Sequence, residues 1–292
     1  MDRRLTISAI AVHLGCGETT ILQRLRRFGI PARPRGPSPR RWRDGSHPGS
    51  PSAVAWSAET AYAVGLIATD GNLAKGRRQM TVTSKDADLL ETLCGCLHLR
   101  ASISRYRNGP GRFCHRVQWR DRVLYDWLLS IGLTPKKSLT LGPLAVPDEH
   151  FADFFRGCID GDGSILVYTD RYHAAKNERY VYQRLYVSLV SASRPFPEWI
   201  QATGDRLIGV TGVIEMKLTP GRRPIWLLRY AKRESIRLLH WMYYQPSVPC
   251  LHRKRANAAQ FMSRTPRGML GYVPACRNRQ TIRTQNPVPV RA

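Results

Sequence analysis

The sequence is poor in acidic residues. Its 292 residues include 21 Asp and Glu against 46 Lys and Arg, which gives a formal net charge of +25 at pH 7. Such an excess of one sign destabilises a compact chain through self-repulsion unless a polyanion lies nearby. We therefore expect nucleic acid as the leading partner, with a membrane surface as the rival.

Long apolar runs are also missing. No run approaches the roughly 20 residues that a membrane-spanning helix requires. The first residues, MDRRLTISAIAVHLG, include an acid and lack the charge and hydropathy layout of a secretory signal. These absences predict a soluble intracellular protein, in the cytoplasm or nucleoid or in an organelle, with no membrane partner.

The seven cysteines include no Cys-x-x-Cys pair. Cys94, Cys96 and His98 make a zinc site conceivable, but no second pair follows at the spacing of zinc ligands. Because most of the cysteines sit in apolar stretches, buried reduced thiols are the favoured interpretation.

The segment 1–30 has the pattern of two short helices around Gly15-Cys16-Gly17. Apolar residues recur at helical spacing in both parts, and the second part places basic side chains off its apolar stripe. This layout is typical of a DNA-binding helix-turn-helix, although a plain helical hairpin is the alternative. The predicted DNA contacts of this segment are Gln23, Arg24 and Arg27.

Two segments lack the composition of a packed domain. Residues 31–52 combine prolines with arginine, serine and glycine, which predicts a basic linker. Residues 263–292 are basic and interrupted by proline, which predicts a disordered tail.

The region between them contains a weak internal repeat. SAETAYAVGLIATDGNL at 57–73 resembles HFADFFRGCIDGDGSIL at 150–166, and each is followed by alternating strand-like and helix-like segments. The strands alternate polar with apolar residues, as in sheets with one solvated face. The repeat predicts two similar α/β units, at 53–147 and 148–262.

Asp70 and Asp162 stand at matching places at the ends of two apolar helices. Small residues in those helices, Gly65 and Gly157 above all, allow two helix backbones to approach closely and bring the acids together. Two carboxylates at helix C-termini repel each other and are disfavoured by the helix dipole, and a divalent cation relieves both effects. A metal beside a polyanion-binding surface suggests phosphodiester hydrolysis. Gly71 and Gly163 are expected to end each helix in the left-handed conformation that glycine tolerates. The alternative is that each Asp-Gly pair is only a helix stop and turn.

The segments GLIATDG at 65–71 and RGCIDGDG at 156–163 resemble the signature of LAGLIDADG homing endonucleases. The second copy is close, whereas the first has Ala68 where the family often has an acid. The resemblance covers roughly residues 54–262 and implies an α+β fold. Two pseudo-symmetric αββαββα units would form a DNA-binding saddle with its sheets in the major groove. The small N-terminal helical domain lies outside this common core.

The resemblance also implies a chemistry. Asp70 and Asp162 would be catalytic acids that bind Mg²⁺, with Mn²⁺ as a substitute and Ca²⁺ binding without supporting cleavage; Gly71 and Gly163 are additional candidate metal ligands. Lys137 and Lys254 match the family's basic residue near each scissile phosphate, a role for which Lys136, Arg253 and Arg255 compete. A plain phosphate clamp is the alternative role for that residue. Ser84 and Ser191 fall where some members place a water-organising side chain, often glutamine.

The expected function is site-specific cleavage of double-stranded DNA by a monomer, leaving short 3′ overhangs. The alternative is a DNA-binding regulator or an RNA splicing maturase on the same scaffold. The target, the host and the setting of the gene, in an intron, in an intein or alone, stay open. The predicted base and phosphate contacts of the two sheets are Gln79, Thr81, Thr83, Arg116, Gln118, Arg120, Tyr182, Arg184, Tyr186, Ser188 and Arg229.

Overall fold

The computed structural model describes residues 7–30, 54–76, 78–107, 109, 111, 113–172, 177 and 179–262. The chain divides into two compact units, residues 1–45 and 46–292. The predicted linker 31–52 and the predicted tail 263–292 lie outside the described residues.

The first unit contains helices α1 (Ile7–His13) and α2 (Glu18–Arg27), so the two predicted helices are present. Gly15 turns the chain between them with a φ of 60°, in the left-handed region that favours glycine. Ala11 and Ile21 are buried, whereas Leu14 and Phe28 are 62% and 68% exposed. The predicted apolar stripe of each helix is therefore only partly covered within this unit.

The larger unit begins with seven elements that follow the predicted order. They are α3 (Ala58–Asp70), β1 (Gly71–Ala74), β2 (Gln79–Ser84), α4 (Ala87–Cys96), β3 (Ser104–Arg107), β4 (Phe113–Arg120) and α5 (Arg122–Ser130). Ser57 caps α3 by accepting a 3.1 Å hydrogen bond from the Thr60 amide, and Asp121 caps α5 in the same way through Leu124. Two short 3₁₀ helices, Lys137–Leu139 and Asp148–His150, then lead to the second half.

The second half repeats the order and adds one helix. Its elements are α6 (Phe151–Asp160), β5 (Gly163–Asp170), β6 (Tyr182–Ser191), α7 (Pro195–Ile208), β7 (Val213–Lys217), β8 (Ile225–Tyr230), α8 (Lys232–Met242) and α9 (His252–Met262). The predicted pair of αββαββα units is confirmed. Helix α9 is an addition, because the sequence had predicted only a basic stretch there.

Each half contains a four-stranded antiparallel sheet, in the orders β1-β2-β4-β3 and β5-β6-β8-β7. Val82 faces Val117 in the first sheet, and Leu189 faces Leu228 in the second, with all four side chains in the core. The alternate residues of the same strands are polar or partly exposed. Every strand therefore has one face against the core and one towards solvent, as its alternating pattern predicted.

Helices α3 and α6 pack against each other at the centre of this core. Residues 61–68 of α3 and all residues of α6 are buried. A helix that is covered all round lies in the interior of a protein, and this explains why α3 is apolar or small over residues 61–68. Helix α6 is also covered all round, but it carries the buried charged residues Asp153, Arg156 and Asp160. Within the described residues, no helix is both long and apolar enough to cross a membrane.

Candidate active site

Two glycines set the spacing of α3 and α6. A Cβ on Gly157 would lie 3.1 Å from the Cα of Gly65 and would collide with the main-chain oxygen of Tyr62. A Cβ on Gly65 would collide with the main chain of Phe154 and Cys158. The helix backbones therefore touch without intervening side chains, as the small residues of the sequence predicted.

This packing brings together the ends of the two helices. Asp70 is the last residue of α3, and Asp162 lies in the turn between the end of α6 and the start of β5. The position that a Cβ would occupy on Gly161 is 3.5 Å from a carboxylate oxygen of Asp70. Each acid directly precedes the glycine that begins a strand, so the two acids are equivalent in the two halves.

The two carboxyl groups are electrostatically coupled. Burial and the nearby Asp162 carboxylate together raise the pKa of Asp70 to about 6. Burial also raises the pKa of Asp162, although Lys137 and Lys254 oppose that shift. Since neighbouring negative charges and desolvation both disfavour ionisation, the site as it stands favours the binding of a positive charge.

The strand-opening glycines have a different role from the predicted one. Gly71 has φ −85° and ψ 150°, and Gly163 is also outside the left-handed region. Instead, a Cβ on Gly71 would lie 2.7 Å from the Cα of Ile67, and one on Gly163 would lie 2.5 Å from the Cα of Ile159. These glycines are required because the chain passes close to the preceding helix. Gly163 also does not end α6, because that helix already ends at Asp160.

Both predicted catalytic lysines are buried and bind helix-end carbonyls. Lys137, 6% exposed, donates a 2.6 Å hydrogen bond from Nζ to the oxygen of Gly71. Lys254, 4% exposed, donates from Nζ to the oxygens of Ile159, Asp160 and Gly163 at 2.6, 2.8 and 2.7 Å. The two ammonium groups therefore cap the C-terminal ends of α3 and α6, where cations are favoured.

These contacts also involve two of the predicted metal ligands. The main-chain oxygens of Gly71 and Gly163 each accept a hydrogen bond from a lysine ammonium group. A metal ion at the same oxygen would meet the positive charge of the lysine at short range. The place of Gly71 and Gly163 in the ligand set, like that of Asp70 and Asp162, stays a prediction.

The lysines are close enough to the acids to interact with them. Burial lowers the pKa of Lys137 to about 8, and the carboxylates of Asp162 and Asp70 oppose the shift. Burial also lowers the pKa of Lys254, with Asp160 and Asp70 among the groups that oppose it. The site thus combines two acids and two lysines at the junction of the two halves.

Three other basic residues compete with the lysines for the predicted role near the phosphate, and they differ in how accessible they are. Arg253 forms a bidentate ion pair with Asp86, with hydrogen bonds of 2.9 and 2.7 Å. Arg255 donates to the oxygen of Pro246 at 2.5 Å and lies over the Tyr243 ring. Lys136 is exposed in a left-handed conformation with φ 58°. Of these three residues, Lys136 is the most accessible to a phosphate.

A buried polar network beside the site has no counterpart among the sequence predictions. Asp160 accepts hydrogen bonds from the Tyr62 hydroxyl at 2.9 Å and the Leu251 amide at 2.7 Å. The fully buried Arg156 donates to the oxygens of Pro249, at 2.7 Å, and Asp153, at 2.5 Å. The network joins α3, α6 and the segment that precedes α9, which gives the acid without a counterpart in α3, Asp160, a structural role.

The signal for this network was present in the repeat. Asp153, Arg156 and Asp160 are spaced along one side of α6, and the equivalent residues of α3 are small or apolar. A difference of this kind between two copies of a repeat indicates a contact that only one copy makes.

Ser84 and Ser191 have matching local roles. The hydroxyl oxygen of Ser84 accepts a hydrogen bond from the Asp86 amide, and that of Ser191 accepts one from the Ser193 amide, both at 3.1 Å. These contacts stabilise the turn after β2 and after β6. The water-organising role of the two serines stays a prediction.

The predicted DNA contacts of the first sheet lie together on its solvent face. Gln79, Thr81 and Thr83 of β2 are the cross-strand neighbours of three β4 residues, Arg120, Gln118 and Arg116, respectively. Arg116 also lies over the ring of Tyr106, with its guanidinium carbon 5.2 Å from the ring centroid.

The predicted contacts of the second sheet are also on one face, but its arginines have acidic partners. Arg184 lies 2.8 Å from Asp170, and Arg229 lies 2.7 Å from Glu215. Ser188 is the cross-strand neighbour of Arg229. Tyr186 stacks against Tyr168 with ring centroids 6.3 Å apart, and Tyr182 stacks against Tyr180.

In the smaller unit, Gln23, Arg24 and Arg27 are exposed on α2. Their placement is compatible with DNA contact, which stays a prediction.

The donor set at the helix ends fits a hard divalent cation. Asp70 and Asp162 supply carboxylate oxygens, the ligand type that Mg²⁺ and Mn²⁺ prefer, and Mg²⁺ usually completes its shell with water and phosphate. In the described part of the chain, no group of three or more His, Cys, Asp and Glu side chains is placed to hold a metal. This excludes the conceivable zinc site at Cys94, Cys96 and His98, and the six described cysteines are free thiols.

The fold has known relatives among solved structures. The chain is similar to meganuclease I-SmaMI bound to uncleaveable DNA, with a TM-score of 0.50 and 13% identity over 71% of this chain and 90% of that one. It is also similar to I-DmoI in complex with DNA and Ca (TM-score 0.44, 16% identity, 68% of this chain and 96% of that one). A third similar structure is the N-terminal LAGLIDADG domain of DUF199/WhiA (TM-score 0.43, 14% identity, 66% and 85%).

The fold assignment rests on the first of these structures. The two halves, their antiparallel sheets and the central helix pair define the LAGLIDADG fold, and this protein has that fold. No protein-family model matches the sequence, and no curated protein matches it.

Proposed function

We propose that the protein is a site-specific, metal-dependent endonuclease that cleaves double-stranded DNA. The observation that supports this function most directly is the meeting of Asp70 and Asp162 at the ends of two helices that touch through Gly65 and Gly157. Because one chain supplies both halves of the site, we expect a monomer. The structural relatives I-SmaMI and I-DmoI are described as bound to DNA.

The surroundings of the acids support phosphodiester hydrolysis. Each half extends a sheet whose solvent face carries arginine, glutamine or tyrosine, next to the acid of that half. The net charge of +25 favours a long polyanion over a small substrate. Asp70 and Asp162, at the junction of the two halves, would hold the metal.

The metal, when bound, polarises a phosphate oxygen and lowers the pKa of a water molecule. Lys137 and Lys254 keep the ends of α3 and α6 in place, so their contribution is to position Asp70 and Asp162. Lys136, exposed beside Lys137, is the better candidate for a phosphate contact in the first half. Cuts on both strands across the minor groove would leave short 3′ overhangs.

The test is selection of cleaved duplexes from a randomised DNA library by the full chain, in Mg²⁺, in Mn²⁺ and in Ca²⁺. We expect cleavage of a long, defined site in Mg²⁺ and Mn²⁺, and binding alone in Ca²⁺. Asp70→Asn and Asp162→Asn should each lower double-strand cleavage on the order of a hundredfold or more, while binding persists. Asp126→Asn, a change on the exposed face of α5, is the matched control and should cleave normally. Full cleavage by either active-site variant would disprove the two-acid site.

One observation favours a second function, that of a DNA-binding regulator or an RNA splicing maturase. Both lysines of the site are buried against main-chain oxygens, so neither is free to follow a phosphate without breaking those bonds. Selection of bound but uncut duplexes, in Mg²⁺ and Mn²⁺ alike, would support this function over the nuclease.

A further inference from the structure

The solvent faces of the two sheets differ in chemistry. In the first sheet, this face presents amide, hydroxyl and guanidinium groups, with Gln79 beside Arg120 and Thr81 beside Gln118. Such groups recognise bases by donating and accepting hydrogen bonds. Among the described residues of this face on β1, β2 and β4, there is no acidic side chain.

The second sheet presents apolar and aromatic side chains on the equivalent face. Leu166 and Tyr168 of β5 are 51% and 43% exposed, Val213 of β7 is 58% exposed and Ile225 of β8 is 38% exposed. Leu166 is the cross-strand neighbour of Tyr186, whose ring stacks on that of Tyr168. Exposed apolar or aromatic side chains therefore occur on this face of β5, β7 and β8, between polar residues such as Ser188 and Arg229.

The cations of the second face are neutralised within it. Glu215 lies 2.5 Å from Lys217 and 2.7 Å from Arg229, and Asp170 lies 2.8 Å from Arg184. An arginine held by a carboxylate must leave that partner before it can form a bidentate contact with guanine. The acids also repel phosphates, so this face is poorly suited to reading guanine or to a purely electrostatic contact.

The position of this face indicates its ligand. Strand β5 begins directly after Asp162, so Leu166 and Tyr168 lead outward from the candidate catalytic acid, as Asn72 and Ala74 of β1 do in the other half. A sheet in the major groove meets one apolar group on the base edges, the C5 methyl of thymine. An apolar face that continues a DNA-binding surface is therefore matched to thymine.

We propose that the second sheet recognises a thymine-rich half-site through thymine methyl groups, with Leu166, Tyr168 and Val213 as specificity-determining residues. The first sheet recognises its half-site through hydrogen bonds. This inference rests on the proposed function only in requiring that the protein binds double-stranded DNA with its sheets in the major groove.

The test compares thymine with deoxyuridine, which lacks the C5 methyl. A duplex bound by the full chain in Ca²⁺ is selected from a random library, and then resynthesised with deoxyuridine in place of thymine in one half or the other. Each lost methyl contact should weaken binding by about fourfold. Two or three contacts make a loss of about tenfold or more in the half bound by the second sheet, against less than about twofold in the other half.

Substitutions at two exposed residues show which half-site each sheet binds. Leu166→Ser should reduce the deoxyuridine effect in its half by about fourfold, the share of one methyl contact. Gln118→Ala, the control on the first sheet, should leave that effect intact while relaxing base preference in the other half. Unchanged melting temperatures show that both variants fold. Equal effects of deoxyuridine in the two halves, or no effect in either, would overturn this inference and leave the proposed function standing. Failure to select any duplex would overturn both.

Discussion

The C-terminal ends of α3 and α6 carry the same motif but are held by different contacts. In the first half, Lys137 donates a 2.6 Å hydrogen bond to Gly71 and a longer one, of 3.4 Å, to Thr69. In the second half, Lys254 contacts four main-chain oxygens, those of Ile159, Asp160, Gly161 and Gly163. Lys137 comes from a single 3₁₀ turn, whereas Lys254 lies on the full helix α9.

The buried faces of the two helices also differ, and again the second half makes more polar contacts than the first. Asp160 bonds with Tyr62 and Leu251, whereas the equivalent residue of α3 is Ala68, which is buried without a polar side chain. The glycine contact between the helices is matched on both sides. Pseudo-symmetry is therefore strict where backbones touch and where acids meet, and it is relaxed where each end is anchored.

The largest expected difference concerns the lysines. Lys254→Met should destabilise the fold by about 4 kcal/mol, because several oxygens lose a charged donor, and Lys137→Met by about 2 kcal/mol. Urea unfolding of the two variants measures this difference. Equal costs would show that the extra contacts of Lys254 add no stability.

The two glycines at the contact between α3 and α6 should be equally important for stability. Gly65→Ala and Gly157→Ala should each cost about 3 kcal/mol, since the new methyl group meets main-chain atoms that cannot move aside. Gly95, exposed on α4 with no atom within 4 Å of an added Cβ, is the matched control. Gly95→Ala should stabilise the protein by about 0.5 to 1 kcal/mol. Thermal unfolding compares all three, and a harmless Gly65→Ala would contradict the close helix contact.

Asp160 of the buried network allows a third comparison between α6 and α3. Asp160→Ala makes α6 resemble α3 and leaves the Leu251 amide and the Tyr62 hydroxyl without their acceptor, at an expected cost of about 2 kcal/mol. Tyr62→Phe removes a single hydrogen bond and should cost about 1 kcal/mol. Chemical denaturation in EDTA separates these effects from metal binding. A larger cost for Tyr62→Phe than for Asp160→Ala would show that the amide contact is unimportant.

The smallest effect concerns pH in the absence of metal. The pKa of Asp70 is raised to about 6 in the folded protein, above its ordinary value of 3.8. Since the folded state takes up the proton first, this residue should make the protein more stable as pH falls from above 6 towards 4, opposite to the usual behaviour of a paired carboxylate. Asp70→Asn should raise the melting temperature in EDTA at pH 7.5, and the advantage should shrink below pH 6.

Much of this arrangement could be predicted from local patterns. The repeat around Asp70 and Asp162, the alternation in the strands and the small residues in the helices are properties of short segments, and they predicted the two units and the meeting of the acids. The left-handed role of Gly71 and Gly163 was wrong, because the need for glycine there comes from a neighbouring helix turn that local pattern does not show.

The remaining features depend on residues that are distant in the chain. Lys254 reaches the end of α6, Arg253 reaches Asp86, and Glu215 lies on the strand beside that of Arg229. Composition and periodicity report what a segment buries, but the partner of a buried charge is set by how the segments pack. The chain's local chemistry thus specified two acids and two sheets, and it predicted a polyanion as partner. Only folding decided that the lysines bind main-chain carbonyls. It also decided that Arg184 and Arg229 of the second sheet are paired with acids, whereas no acid lies on the solvent face of β1, β2 and β4 among the described residues.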